Sequence, residues 1–206
     1  MTIYCVEQNY LDHKREKENH IGKELLLFQK PENALYPNGE SYTFKNFEEC
    51  KLFCQAELVL KIGKKGKFIV KEQAASYLES ITTGINFTSI NILDELNGIV
   101  VPWEEVKAGP GSSLIGNWWP ASEFKNLGDL NFYLYKNREM VQLGNSELMI
   151  HDIWDIIVEI SNQFELAEGD IIFTGTPSGT GEVFRGDKLE AFIEDDSVLE
   201  FEIEGA

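Results

Sequence analysis

The sequence predicts an α+β domain that is mainly β. Three observations carry this. Leu130, Phe132 and Leu134 alternate with Asn131, Tyr133 and Tyr135, and Leu199, Phe201 and Ile203 alternate with Glu200, Glu202 and Glu204. A period of two marks half-buried strands. Ile150, Ile153, Trp154, Ile157, Val158 and Ser161 fall on one face of a single well-formed amphipathic helix. Helical and strand patterns do not alternate regularly, which argues against βαβ repeats. With 206 residues and no linker, low-complexity stretch or internal repeat, the chain reads as one domain spanning 1–206.

Taken in order, the first 45 residues show no regular pattern, and Tyr36-Pro37-Asn38-Gly39 signals a turn. Ala56 to Ile62 is a largely apolar run stopped by Gly63 and reads as a strand. Ala74, Ala75, Leu78 and Ile81 have helical spacing and predict a helix over 71–81. Ile85 to Ile90 reads as a strand. A turn at Lys136-Asn137-Arg138, returning through Met140 to Leu143, predicts a hairpin. The helix around Ile153 ends before Ala167-Glu168-Gly169. Ile171 to Phe173 is a short buried strand, and the last two strands are Leu189 to Ile193 and Val198 to Ile203. Of Trp118-Trp119-Pro120, core is the safer expectation for any single Trp.

Composition narrows the function. Hydrophobic residues make up 43% and charged residues 26%, an ordinary globular balance. The net charge of −17 argues against nucleic acid and anionic membrane surfaces as partners, since both need basic patches. No apolar run reaches about 18 residues, so no membrane span is expected. The opening 20 residues are too polar for a signal peptide. Three cysteines, Cys5, Cys50 and Cys54, do not form a disulfide framework, so a reducing cytoplasmic location is expected. Cys50 and Cys54 lack the His or Cys partners that would complete a zinc set.

Two stretches carry chemistry. After the strand at 171–173 comes Thr-Gly-Thr-Pro-Ser-Gly-Thr-Gly, rich in hydroxyls and free backbone N–H groups. It lacks the Gly-Lys-Ser/Thr ending of a phosphate-binding loop. On its own it reads as a plain turn more readily than as a ligand loop. Near the N-terminus, His13 and Glu16 lie three apart. On a helix they would share a face, and the carboxylate could orient the imidazole as a general base. An exposed, charged helix start fits the same spacing.

Taken together, these stretches resemble the fumarylacetoacetate hydrolase family in its short form. Asn9-Tyr10-x-x-His13-x-x-Glu16 is similar to that family's NYxxHxxE opening, and Phe28-Gln29-Lys30-Pro31 to its F-x-K-P. Ala56-Glu57-Leu58 with Ile62-Gly63-Lys64 resembles the E-x-E-L…IGK strand. Gln142-x-Gly144-Asn145-Ser146 resembles Q-x-G-N-T. Gly169 to Gly179 matches GDxIxTGTPxG, the most specific of these signatures.

The resemblance implies a β-sandwich roll or barrel with peripheral helices, commonly assembled as a homodimer. It implies an enzyme acting on small oxo-dicarboxylic acids such as acylpyruvates. Mg²⁺ or Mn²⁺, held by three carboxylates, would polarise the substrate. His13 and Glu16 match the water-activating pair, and Lys107 falls where the family places a lysine. Lys30, Gln142, Gly175 and Thr176 fall on the substrate side. Glu57 is the surviving metal carboxylate. At the other two ligand positions stand Gln55 and Asn86, and Ile90 replaces an Arg. Where the family has F-D after the lysine, this chain has Gly109-Pro110. The resemblance therefore leaves two expectations open. One is a hydrolase or isomerase with weakened or lost metal dependence. The other is a non-catalytic binder of a small organic acid.

Overall fold

The structure is a computed structural model that describes residues 1–10, 24–36, 41–44, 47–91, 94–95, 97–102 and 106–205. Its elements run β1 (Ile3–Glu7), β2 (Leu26–Lys30), β3 (Tyr42–Phe44), β4 (Cys50–Ile62), α1 (Lys71–Ala74), β5 (Leu78–Asn91), β6 (Ser113–Ile115), β7 (Trp119–Pro120), β8 (Asn131–Lys136), β9 (Glu139–Asn145), α2 (Ile153–Gln163), β10 (Ile171–Phe173), β11 (Gly181–Val183), β12 (Lys188–Ile193) and β13 (Asp196–Gly205).

Among the described residues the strands form two sheets. The larger has eight strands in the path β2-β1-β10-β4-β5-β6, with β11 also on β4 and β7 also on β5. The smaller runs β3-β13-β12-β8-β9. They stack as a sandwich, and the described strands do not close into a barrel. The main core joins Leu52, Ala56, Leu58 and Leu60 of β4 to Phe132, Leu134, Leu189 and Ala191 of the smaller sheet. The opposite face of the larger sheet carries a second cluster, with Ile3, Cys5, Val59, Ile171 and Phe173 at its centre. This outer face bears the site.

The antiparallel pair β4–β5 is the spine. It runs from Cys50↔Asn91 to Ile62↔Leu78 and sets Gln55 opposite Asn86 and Glu57 opposite Gly84. Because side chains alternate, Gln55, Glu57 and Val59 share one face with Asn86 and Thr88, while Cys54 and Phe87 point to the main core.

The β8–β9 hairpin forms as expected. Asn137 and Arg138 both adopt positive φ, 53° and 70°, the twist that a two-residue hairpin turn requires. Helix α2 is capped by Asp152, whose side chain accepts from the Asp155 N–H at 2.7 Å. It buries Ile153, Ile156, Ile157 and Ile160.

Two expectations are corrected. The helix over 71–81 stops at Ala74 and passes through a 3-10 turn at Ala75–Tyr77 into β5. Pairing with β4 takes Leu78 and Ile81 into the sheet, and tertiary pairing overrides a weak helical spacing. The first 45 residues are not irregular throughout, since their described parts supply β1, β2 and β3. Strand β1 lies inside the larger sheet, parallel to β10 and antiparallel to β2. Buried on both faces, its Ile-Tyr-Cys-Val run shows no alternation to read.

Candidate functional site

Three strands, β1, β2 and β4, and the segment before β6 bring charge to the outer face of the larger sheet. Glu57 of β4 is 2% exposed. Its carboxylate accepts from the Gly175 N–H at 2.7 Å and from Asn86 Nδ2 at 2.8 Å. Burial, and then the neighbouring Glu7 charge, push its carboxyl up to about 7. Lys30, at the end of β2, is equally buried. Its Nζ donates to Asn86 Oδ1 at 2.8 Å, Ser113 Oγ at 2.8 Å, the Ser112 carbonyl at 3.0 Å and Ser112 Oγ at 3.2 Å. Burial lowers this ammonium to about 8. The result is a chain of groups, Lys30–Asn86–Glu57–Gly175, closed at both ends.

Beside it, Lys107 Nζ bonds Glu7 Oε1 at 2.5 Å and Gln55 Oε1 at 3.2 Å. An ammonium donates and never accepts, so an amide facing it must present its oxygen. Both amides are therefore oriented. Asn86 turns its oxygen to Lys30 and its NH₂ to Glu57, while Gln55 turns its oxygen to Lys107. Thr88, two residues along the Asn86 face, carries a buried hydroxyl with no hydrogen-bond partner among the described residues. Cys5 lies in β1 close enough for Lys30 and Glu57 to act on it, and burial drives its thiol well above the usual range.

The 174–180 loop forms the adjoining wall. β4 pairs with β10 through Val59 and with β11 through Cys54, so the ladder opens between them. Side chains fill the gap. The Ala56 N–H donates to Gln142 Oε1 at 2.8 Å, and Thr176 Oγ1 donates to the Ala56 carbonyl at 2.8 Å. Gln142 Nε2 also reaches Thr176 Oγ1 at 3.0 Å. Thr174 bonds the Leu58 carbonyl through both N–H and hydroxyl. The loop is further tied to the N-terminal segment. Asn9 Nδ2 donates to the carbonyls of Thr174 and His151, and Asn9 Oδ1 accepts from the His151 N–H.

Gly175 must be glycine. Its φ is +96°, and a Cβ there would lie 2.9 Å from Asn9 Cβ. Gly175→Ala is expected to destabilise the fold by roughly 2 kcal/mol and to loosen the N–H that Glu57 accepts. Urea denaturation of the two proteins measures this.

Residues 2–206 match the family model described as the C-terminal domain of fumarylacetoacetate (FAA) hydrolase. The chain belongs to the fumarylacetoacetate hydrolase family. The mitochondrial oxaloacetate tautomerase of Bos taurus is 31% identical over 203 residues, 98% of this chain and 91% of that protein. A mitochondrial oxaloacetate decarboxylase of Dictyostelium discoideum is 30% identical over 98% of this chain and 93% of that protein. The fumarylpyruvate hydrolase of Pseudomonas aeruginosa, solved with Mn²⁺ and pyruvate, superposes with a TM-score of 0.88 at 28% identity, covering 100% of this chain and 90% of that one.

Of the residues marked by the family resemblance, Lys30, Gln55, Glu57, Asn86, Lys107, Gln142, Gly175 and Thr176 converge on this wall and floor. His13 and Glu16 lie outside the described residues. Sequence reading missed Glu7, Asn9 as an anchor, and the Ser112–Ser113 pair that receives Lys30. Glu7 had a signal: Ile3, Cys5 and Glu7 share a strand face once β1 is recognised. Among the described residues no three His, Cys, Asp or Glu side chains group to hold a metal ion. Among them, too, no helix is long and apolar enough to cross a membrane.

Proposed function

We propose that this family member binds a small 2-oxo acid over the Lys30–Asn86–Glu57 floor and isomerises it, without a tightly held divalent ion. The orientation of the two amides carries this reading. Three carboxylates would leave a bound Mg²⁺ or Mn²⁺ site at a net charge of about −1, whereas Glu57 alone leaves it at about +1. The residues at 55 and 86 do not fit the ion. Gln55 and Asn86 commit their oxygens to lysines, and Asn86 aims N–H at the carboxylate an ion would need. Lys30 and Lys107 supply the positive charge instead.

The reaction class follows from what such a site can stabilise. Keto–enol isomerisation moves one proton from carbon and develops negative charge on the 2-oxo oxygen. Lys107 is the donor assigned to that oxygen and to the carboxylate oxygen beside it, in a setting dry enough for a hydrogen bond to count. His13 and Glu16 are assigned the proton transfer or, for hydrolysis of an acylpyruvate, the activation of water. Gly175, Thr176 and Gln142 form the wall against the ligand carboxylate, and the Thr88 hydroxyl, without a partner among the described residues, is a further donor on the same face. Hydrolysis of a C–C bond asks more of the carbonyl than isomerisation does. That difference favours the isomerase reading, as does the likeness to the oxaloacetate tautomerase of Bos taurus.

The assay is enol–keto interconversion of oxaloacetate followed by ultraviolet absorbance, with and without a chelator, beside hydrolysis of an acylpyruvate. Turnover that survives chelation supports the proposal, and turnover abolished by it and restored by Mg²⁺ sinks it. A second reading, a non-catalytic binder, draws on the closed Lys30–Asn86–Glu57–Gly175 chain. Binding of the acid by calorimetry with no turnover in either assay would establish that reading. We also place the protein in the cytoplasm, as a homodimer of a domain spanning 1–206. Analytical ultracentrifugation tests the dimer.

A further inference from the structure

We propose that Glu7 is a specificity-determining residue, an internal carboxylate that competes with the ligand for Lys107. This rests on the reading of the floor as a 2-oxo acid site. Glu7 ends β1 on the face that carries Ile3 and Cys5, and its Oε1 lies 2.5 Å from Lys107 Nζ. The two side chains are only 15% and 8% exposed. Lys107 also serves Gln55 Oε1 at 3.2 Å. The group that Glu7 offers Lys107 is the group a ligand acid would offer.

Binding is then an exchange. The ligand carboxylate takes the ammonium, and Glu7, the more exposed partner of the pair, turns to water. Charge sharpens the effect. Among the described residues Lys30 and Lys107 balance Glu7 and Glu57, so these four groups sum to zero when ionised. Each carboxylate a ligand brings meets an uncompensated Glu7. A monocarboxylate 2-oxo acid therefore enters more readily than an oxo-dicarboxylate, and removing the Glu7 charge should relax that discrimination. A residue that merely held Lys107 in place would do the opposite, since its loss would weaken every ligand.

The test is calorimetric titration of the unaltered protein and Glu7→Gln with pyruvate, oxaloacetate and the uncharged pyruvamide. Glu7→Gln keeps the shape and an acceptor for Lys107. It is expected to bind pyruvate on the order of tenfold more tightly and to gain more for oxaloacetate, with pyruvamide unchanged. Glu7→Ala should change affinity in the same direction, so the test does not depend on one variant folding. Equal or weaker pyruvate affinity in both variants overturns the role of Glu7 while leaving the 2-oxo acid site standing. Failure of either acid to bind any of the three proteins overturns both.

Discussion

The double variant Gln55→Glu, Asn86→Asp is expected to bind Mn²⁺ on the order of a thousandfold or more tightly than the unaltered chain, since each restored full charge near the ion is worth a few kcal/mol at an effective dielectric near 20. The two strands already place positions 55 and 86 opposite one another, with Glu57 on the same face. The changes alter charge at nearly constant shape. At position 86 a carboxylate has two oxygens, so one can keep the Lys30 bond while the other faces an ion. An amide has one oxygen, and Lys30 holds it. Electron paramagnetic resonance of free Mn²⁺ gives both affinities. Equal affinity would show that charge at these positions does not decide ion binding.

The second large effect is on stability. Lys30→Met should destabilise the fold by about 3 kcal/mol, because it strands several buried acceptors at once. Asn86 Oδ1 and Ser113 Oγ lose their donor, and the Ser112 carbonyl keeps only the Phe87 N–H. Part of the loss is offset, since burying the ammonium is itself unfavourable, as its lowering to about 8 indicates. Guanidinium denaturation checks the magnitude. A change below about 0.5 kcal/mol, the range of ordinary surface substitutions, would mean that the Lys30–Asn86–Glu57 chain does not hold this face together.

Much of this was legible in the sequence, for reasons that differ between elements. The β8–β9 hairpin and β13 were readable because each has one buried and one wetter face, so the residues alternate. Helix α2 was readable from its apolar stripe. β1 was not, because a strand buried on both faces loses its period. The start of β5 was misread as helix because Ala74, Leu78 and Ile81 fit a helical spacing by accident, and only pairing with β4 corrects it.

The site followed the same rule. Glu57, Lys107, Lys30 and the Gly-Thr-Pro loop stood out through the family resemblance, and the amides at 55 and 86 stood out as departures from it. What the amides do was hidden. Orientation depends on which lysine faces which oxygen, and those lysines come from β2 and from residues just before β6. The support that Gln142 and Thr176 give to Ala56 was equally hidden. It exists because β10 ends before β11 begins on the same neighbour, a gap that only the sheet register exposes.

The most direct test is titration of the purified, unaltered protein with Mn²⁺, reading free ion by paramagnetic resonance. If Lys30 and Lys107 hold the amide oxygens away, the dissociation constant will be about 1 mM or weaker, the range of sites poor in ligand charge. A micromolar constant, lost on mutation of Glu57, would contradict the account.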